Sequence, residues 1–163
     1  MNLPAGWKQR ELMWSSAHLL GRTYTLRAGD DAVATLEIEG VLRRHARLES
    51  GGEVLTFVRR GLLGTCVEVR DAGESPLARL DMMWRGAQVQ LGNIACVFRP
   101  TAIFSRAWAF FDEGQPVLTL ERRFMLLTTR IEVRLGRDTL SDREVLILAG
   151  LGLMELRRHH RTH

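Results

Sequence analysis

The chain has 163 residues, 45% hydrophobic and 26% charged, the composition of one globular domain with its own core, which excludes a charge-rich disordered chain. The formal net charge is +4, but Arg157, Arg158 and Arg161 supply three of those charges at the end of the sequence and leave +1 for the remainder. No basic face is visible on the body and only 7% of residues are aromatic, so nucleic acid is not expected as a partner.

Lys8 is the one lysine among 23 basic residues. A bias this complete reads as genome base composition, because recognition sites use arginine locally. Cys66 and Cys96 sit in apolar, strand-like stretches with no Cys-x-x-Cys pair, and are read as two buried thiols of a reducing compartment. Residues 1–21 mix Lys8, Arg10 and Glu11 with Trp7 and Trp14 rather than forming a continuous apolar run. That pattern argues against a signal peptide and predicts a cytoplasmic protein, at most peripheral to a membrane.

From residue 23 to residue 135 the sequence alternates apolar and polar in short runs broken by Gly, Asp, Asn and Pro, which predicts strands with one buried face. Leu36 and Ile38 share a face opposite Thr35, Glu37 and Glu39, after the turn Gly29-Asp30-Asp31. Val67 and Val69 alternate with Glu68 and Arg70, and Leu80, Met82 and Trp84 alternate with Arg79, Asp81 and Met83. Val89 and Leu91 precede the turn Gly92-Asn93, after which residues 94–98 read as a continuously apolar run. Trp108 to Phe111 leads into the hairpin signal Asp112-Glu113-Gly114, followed by Leu118 and Leu120, then by Ile131, Val133 and Leu135. The turn signals predict roughly a dozen strands. No helices intervene to serve as crossovers, which excludes a parallel α/β sheet.

The pattern changes at Ser141. Ser141, Asp142, Arg143 and Glu144 match the capping box, in which the serine hydroxyl accepts from the glutamate amide and the glutamate reaches back, and Leu140 and Val145 are spaced as a hydrophobic staple. A helix is predicted over about 142–158. Its stretch from Val145 to Met154 is non-polar throughout, with Gly150 and Gly152 included, so it has no polar face and must be surrounded. Ten residues span about 15 Å, half of the roughly 30 Å needed to cross a bilayer. The prediction is therefore a helix buried in protein, with no transmembrane span. A long antiparallel sheet with one apolar face and a helix that is apolar all round satisfy each other if the sheet wraps the helix and closes. The whole chain, 1–163, is read as a single closed antiparallel β-barrel of about twelve strands around one C-terminal helix; a helix lying across a sandwich is the alternative.

Three features resemble the tubby C-terminal-like superfamily, in particular its bacterial branch related to phospholipid scramblases and the plant LURP-one-related proteins. They are Leu20-Gly21-Arg22-Thr23-Tyr24-Thr25-Leu26 followed by Ala34-Thr35-Leu36; Trp84 and Trp108-Ala109-Phe110 with Asp112-Glu113-Gly114 beyond; and the apolar helix ending in Arg157-Arg158. The likeness is one of pattern and order, from about Glu11 to Arg158. It implies a twelve-stranded barrel threaded by a central helix, and a membrane-directed or regulatory role. The sequence departs from the active relatives in having no acidic Asp-x-Asp calcium loop, no cysteine-rich palmitoylation segment and no lysine-rich phosphoinositide pocket, so calcium-dependent lipid scrambling does not carry over.

No G-x-S-x-G elbow accompanies any serine, and His18 and His45 are the only histidines before the tail. Both are read as structural or solvated, and no catalytic residue, cofactor or metal ligand is assigned. Asp30-Asp31 and Asp112-Glu113 are read as turn chemistry. Gly61-Leu62-Leu63-Gly64 after Arg59-Arg60 offers amides and guanidinium groups to a phosphate, but lacks a P-loop ending and is read as a strand connection. Arg122-Arg123 before Phe124-Met125-Leu126-Leu127 is either an interfacial anchor or, on the favoured reading, a bulged core strand. The tail, with Arg157, Arg158 and Arg161, is a candidate for anionic lipid or a metal against the simpler reading of a solvated helix end. The expected function is a non-catalytic binding or regulatory module meeting an anionic membrane surface or a protein partner through these arginines. A small hydrolase whose site assembles only in three dimensions is the alternative.

Overall fold

The computed structural model describes residues 3–16, 21–39, 45–123 and 128–159. After a short 3-10 turn at Trp7–Gln9 come β1 (Leu12–Ser16), β2 (Thr23–Ala28), β3 (Asp31–Glu39), β4 (His45–Ser50), β5 (Glu53–Arg60), β6 (Cys66–Arg70), β7 (Pro76–Met83), β8 (Gly86–Leu91), β9 (Ile94–Pro100), β10 (Ala107–Asp112), β11 (Gln115–Arg123), β12 (Thr129–Leu135) and the helix α1 (Asp142–His159). Each strand pairs antiparallel with its neighbour in sequence, and β1 pairs with β12 to close the barrel, Trp14 standing opposite Ile131. The expected architecture is the one observed.

Strand side chains alternate between a buried inner face and a solvated wall, because successive residues of a strand point to opposite sides. The pattern is clearest in β4, where Ala46, Leu48 and Ser50 are buried and His45, Arg47 and Glu49 are exposed. The run expected to be continuously apolar also alternates: in β9, Cys96 and Phe98 are buried and Ala95 is exposed. Alternation breaks at three bulges, where one strand carries an extra residue: Val33 in β3, Leu77 in β7 and Val117 in β11. Bulges sharpen local twist and bend the sheet, which helps it close. The bulges at Val33 and Val117 also turn consecutive residues inward, Val33 with Ala34 and Val117 with Leu118.

The helix fills the lumen. Every residue from Val145 to Leu156 is buried. Its contacts reach strands on several sides: the Trp14 indole N–H donates to the Ala149 carbonyl at 3.2 Å, Gly150 lies against Phe57 and Leu48, and Gly152 lies against Leu120. The capping box forms as the sequence predicts, the Glu144 amide donating to Ser141 Oγ at 3.1 Å and the Ser141 amide to Glu144 Oε1 at 2.8 Å. Leu140 and Val145 are both buried.

Because strands alternate in direction, the connections fall into two sets. One rim, here called lower, holds the tight turns after the even-numbered strands and the start of α1, where Lys8 Nζ donates to the Leu140 carbonyl and pairs with Asp142. The upper rim holds the connections after the odd-numbered strands and the end of α1. Of the upper connections, β5–β6, β7–β8 and β9–β10 lie among the described residues. Among the described residues no helix is long and apolar enough to cross a membrane.

Candidate functional site

The last turn of α1 meets the upper rim through charged and aromatic side chains. Glu155 is wholly buried, and Arg59 Nη2 from β5 donates to its Oε1 at 2.8 Å, while Glu155 Oε2 has no hydrogen-bond partner among the described residues. Arg59 Nη1 also donates to the Gly64 carbonyl at 3.0 Å, and Arg158 Nη1 donates to the same oxygen at 3.1 Å. Gly64 is required there. Its φ of 63° suits glycine, and a Cβ would fall 2.6 Å from Arg59 Cδ. The β5–β6 connection is thus tied to the helix end by two arginines. Its carbonyl faces inward as an acceptor, so the phosphate-loop reading of residues 61–64 has no support.

A second group lies around Tyr24 of β2. The Arg157 guanidinium stands over the Tyr24 ring, 5.0 Å from its centroid, a cation–π arrangement. Arg122 of β11 stands opposite Ile131, an inward position, and is half-buried. Burial pushes the Arg122 pKa down, with the nearby Tyr24 opposing the fall. Arg122 Nε and Arg157 Nη1 are both buried N–H groups without a hydrogen-bond partner among the described residues. Trp108 of β10 stacks on His159 with centroids 4.5 Å apart, and Phe98 backs Trp108 at 5.2 Å.

The predicted arginines therefore separate. Arg122, Arg157 and Arg158 come together with the helix end at the upper rim. Arg123, adjacent in sequence to Arg122, points to the outer wall and is spent on Glu132, its Nε donating to the carboxylate at 2.8 Å. Arg161, residues 124–127 and His18 lie outside the described residues. The structure adds Arg59, Glu155 and Tyr24. The signal for the first two was available, since Glu155 is the one carboxylate closing an otherwise apolar helical stretch and needs a buried cation.

Elsewhere, polar groups are consumed by structure. His45 is exposed at the start of β4, opposite Val58. The acidic turns pair with arginine, Asp31 with Arg10 and Asp112 with Arg137 at 2.8 Å. Burial raises both thiols, Cys66 with help from Asp81 and Cys96 to about 11, which keeps them protonated and poor as nucleophiles near neutrality. A groove of about 450 Å³ runs between Lys8, Arg10, Glu132 and Arg134, and another of about 360 Å³ between Thr35, Glu49 and Glu53. Neither is lined by a histidine or cysteine, and Ser50 beside the second has its hydroxyl bonded to the Val33 carbonyl at 2.7 Å. Among the described residues no group of three or more His, Cys, Asp or Glu side chains is arranged to hold a metal ion. Comparison with protein-family models, with curated proteins and with solved structures gave no match.

Proposed function

We propose that this chain is a non-catalytic binding module of the tubby-like kind whose upper rim contacts an anionic phospholipid surface. One observation carries the reading: Arg122 Nε and Arg157 Nη1, beside the same tyrosine, are buried charged donors with no acceptor among the described residues. Leaving such a donor unmet costs about 1–3 kcal/mol. A phosphate oxygen would supply a charge-assisted acceptor. The helix occupies the lumen, so a ligand inside the barrel would have to displace the core, and recognition falls to the rim. The twelve-strand order and threaded helix agree with the fold that the resemblance implies and so support the tubby-like assignment, although a shared fold does not transmit activity. The hydrolase alternative has less support, because His45 stands alone at the surface and both thiols are held protonated.

Flotation of the full chain with phosphatidylglycerol-containing and pure phosphatidylcholine vesicles, at low and physiological salt, tests the proposal. Binding is expected only to the anionic vesicles, falling as salt rises. Arg122→Gln/Arg157→Gln is expected to weaken it about tenfold, given about 1 kcal/mol per arginine near such a surface. No lipid-dependent shift at low salt would remove the membrane reading.

A further inference from the structure

Among the described residues the large hydrophobic side chains left exposed are Leu62, Leu63, Met83, Trp84, Ile103 and Phe104, and all of them lie at the upper rim. They belong to the β5–β6, β7–β8 and β9–β10 connections, except Met83, which ends β7. Leu62 is 98% exposed, Trp84 91% and Phe104 101%, so these side chains stand clear of the body. Isolated exposed hydrophobics are ordinary on a protein surface, whereas a set gathered on one face marks an interaction site. Phe104 adds an independent sign. Its φ of 60° is a left-handed conformation that a bulky side chain adopts at a cost of roughly 1–3 kcal/mol. No packing inside the molecule offsets that cost, since the ring is fully in solvent.

Charge divides the two ends in the same sense. The three described upper connections contain Arg85 and Arg106, both exposed and without an acidic partner among the described residues, and contain no Asp or Glu. The lower connections carry Asp30, Asp71, Glu74, Glu113 and Asp138, and the basic groups at that end are already paired, Arg137 with Asp112, Lys8 with Asp142, Arg10 with Asp31 and Arg70 with Glu74. The wall between neutralises itself through ladders such as Arg79 with Asp81 and Arg70 with Glu68.

We infer that the barrel docks end-on against an anionic bilayer, with Leu62, Leu63, Trp84, Ile103 and Phe104 inserted at the boundary between headgroups and acyl chains and with Arg85 and Arg106 at the level of the phosphates. This rests on the anionic-surface reading above and adds which residues enter the membrane. The tips come from three connections and are almost fully exposed, so none is packed against another. A fluid lipid surface accommodates separate projections, while a protein partner would need a preformed pocket for each. Tryptophan favours the membrane interface, and arginine pairs with lipid phosphate. The acidic lower rim would face away from the anionic surface, which fixes the polarity of docking.

The test uses the full chain with phosphatidylglycerol-containing vesicles whose acyl chains are brominated at defined depths. Trp7 and Trp14 are buried and Trp108 is partly so, so the difference between the parent and Trp84→Phe isolates Trp84. On binding, Trp84 emission is expected to move to shorter wavelength and to be quenched most by bromine near the headgroups. Leu62→Asp/Phe104→Asp, at positions too exposed to disturb folding, is expected to weaken partitioning about tenfold or more with an unchanged unfolding curve. If the chain floats with anionic vesicles while Trp84 stays unquenched, end-on insertion is overturned and the anionic-surface reading survives. If the chain does not float at all, both fall. A concentration-dependent dimer formed without lipid and abolished by Phe104→Asp would assign the tips to self-association and overturn the insertion.

Discussion

Arg59 of β5 and Glu155 of α1 meet at 2.8 Å with their side chains almost withdrawn from solvent, 12% and 1% exposed, fastening the barrel wall to the last turns of the helix inside it. Breaking such a buried pair from one side strands a charge, which costs about 3–5 kcal/mol, whereas replacing both partners by apolar groups is often close to neutral. Arg59→Met should therefore destabilise the protein severely, and Arg59→Met/Glu155→Leu should recover most of the loss. Urea unfolding of the two single variants and the double variant reads the coupling directly; equal, additive losses would mean that the pair contributes nothing as a pair.

Gly150 offers a second test, because helix propensity and packing oppose one another there. Alanine in place of a helical glycine gains about 1 kcal/mol. A Cβ on Gly150, however, would sit 2.7 Å from Cζ of the buried Phe57 ring, which is stiff and enclosed. Overpacking of this kind costs about 1–3 kcal/mol. Gly150→Ala is expected to lower Tm by a few degrees, and Gly150→Ala/Phe57→Leu to regain part of it. A rise in Tm for the single variant would show that the ring has room to move.

The third test uses pH. Burial pushes the Cys96 thiol up to about 11, with Asp112 adding to the rise and Arg137 opposing it. An unfolded thiol ionises near 9.0, so between about pH 9 and 11 the unfolded chain releases a proton that the folded chain keeps. The stability associated with the neutral thiol is full below that window and is lost as pH rises through it, on the order of 2 kcal/mol across it. Cys96→Ala should show a shallower decline in unfolding free energy between pH 9 and 11 than the parent; an identical slope would assign the decline to other groups.

Much of the architecture was legible because its determinants are local. Alternation in β3 and β12, the Gly92-Asn93 turn and the Ser141/Glu144 capping box each depend on residues a few positions apart, and the all-apolar stretch from Val145 leaves only burial as a solution. The rim was harder to read because its groups come from distant segments. Arg59 and Glu155 are 96 positions apart and become neighbours only when the sheet closes around the helix. Arg122 and Arg123 read as one basic pair in sequence, but a strand sends them to opposite faces, one toward Tyr24 and one to Glu132. Trp84 continues the alternation of Leu80 and Met82, which predicts burial. The strand stops at Met83, so the indole emerges into solvent instead.

The element that fills the barrel follows directly after β12, the strand that closes the sheet against β1. A chain emerging from the ribosome with eleven strands made has an open edge on β1, an unmated edge on β11 and an apolar inner face with nothing to lie against it. Hairpins between neighbouring strands can form early, because their contacts are short in sequence, but the contacts that make the barrel a single cooperative unit span nearly its whole length. Closure of the sheet and filling of its lumen therefore wait for β12 and α1. Until α1 arrives, the unfinished sheet is exposed to pairing with other chains, and that interval is when the protein is most vulnerable to aggregation.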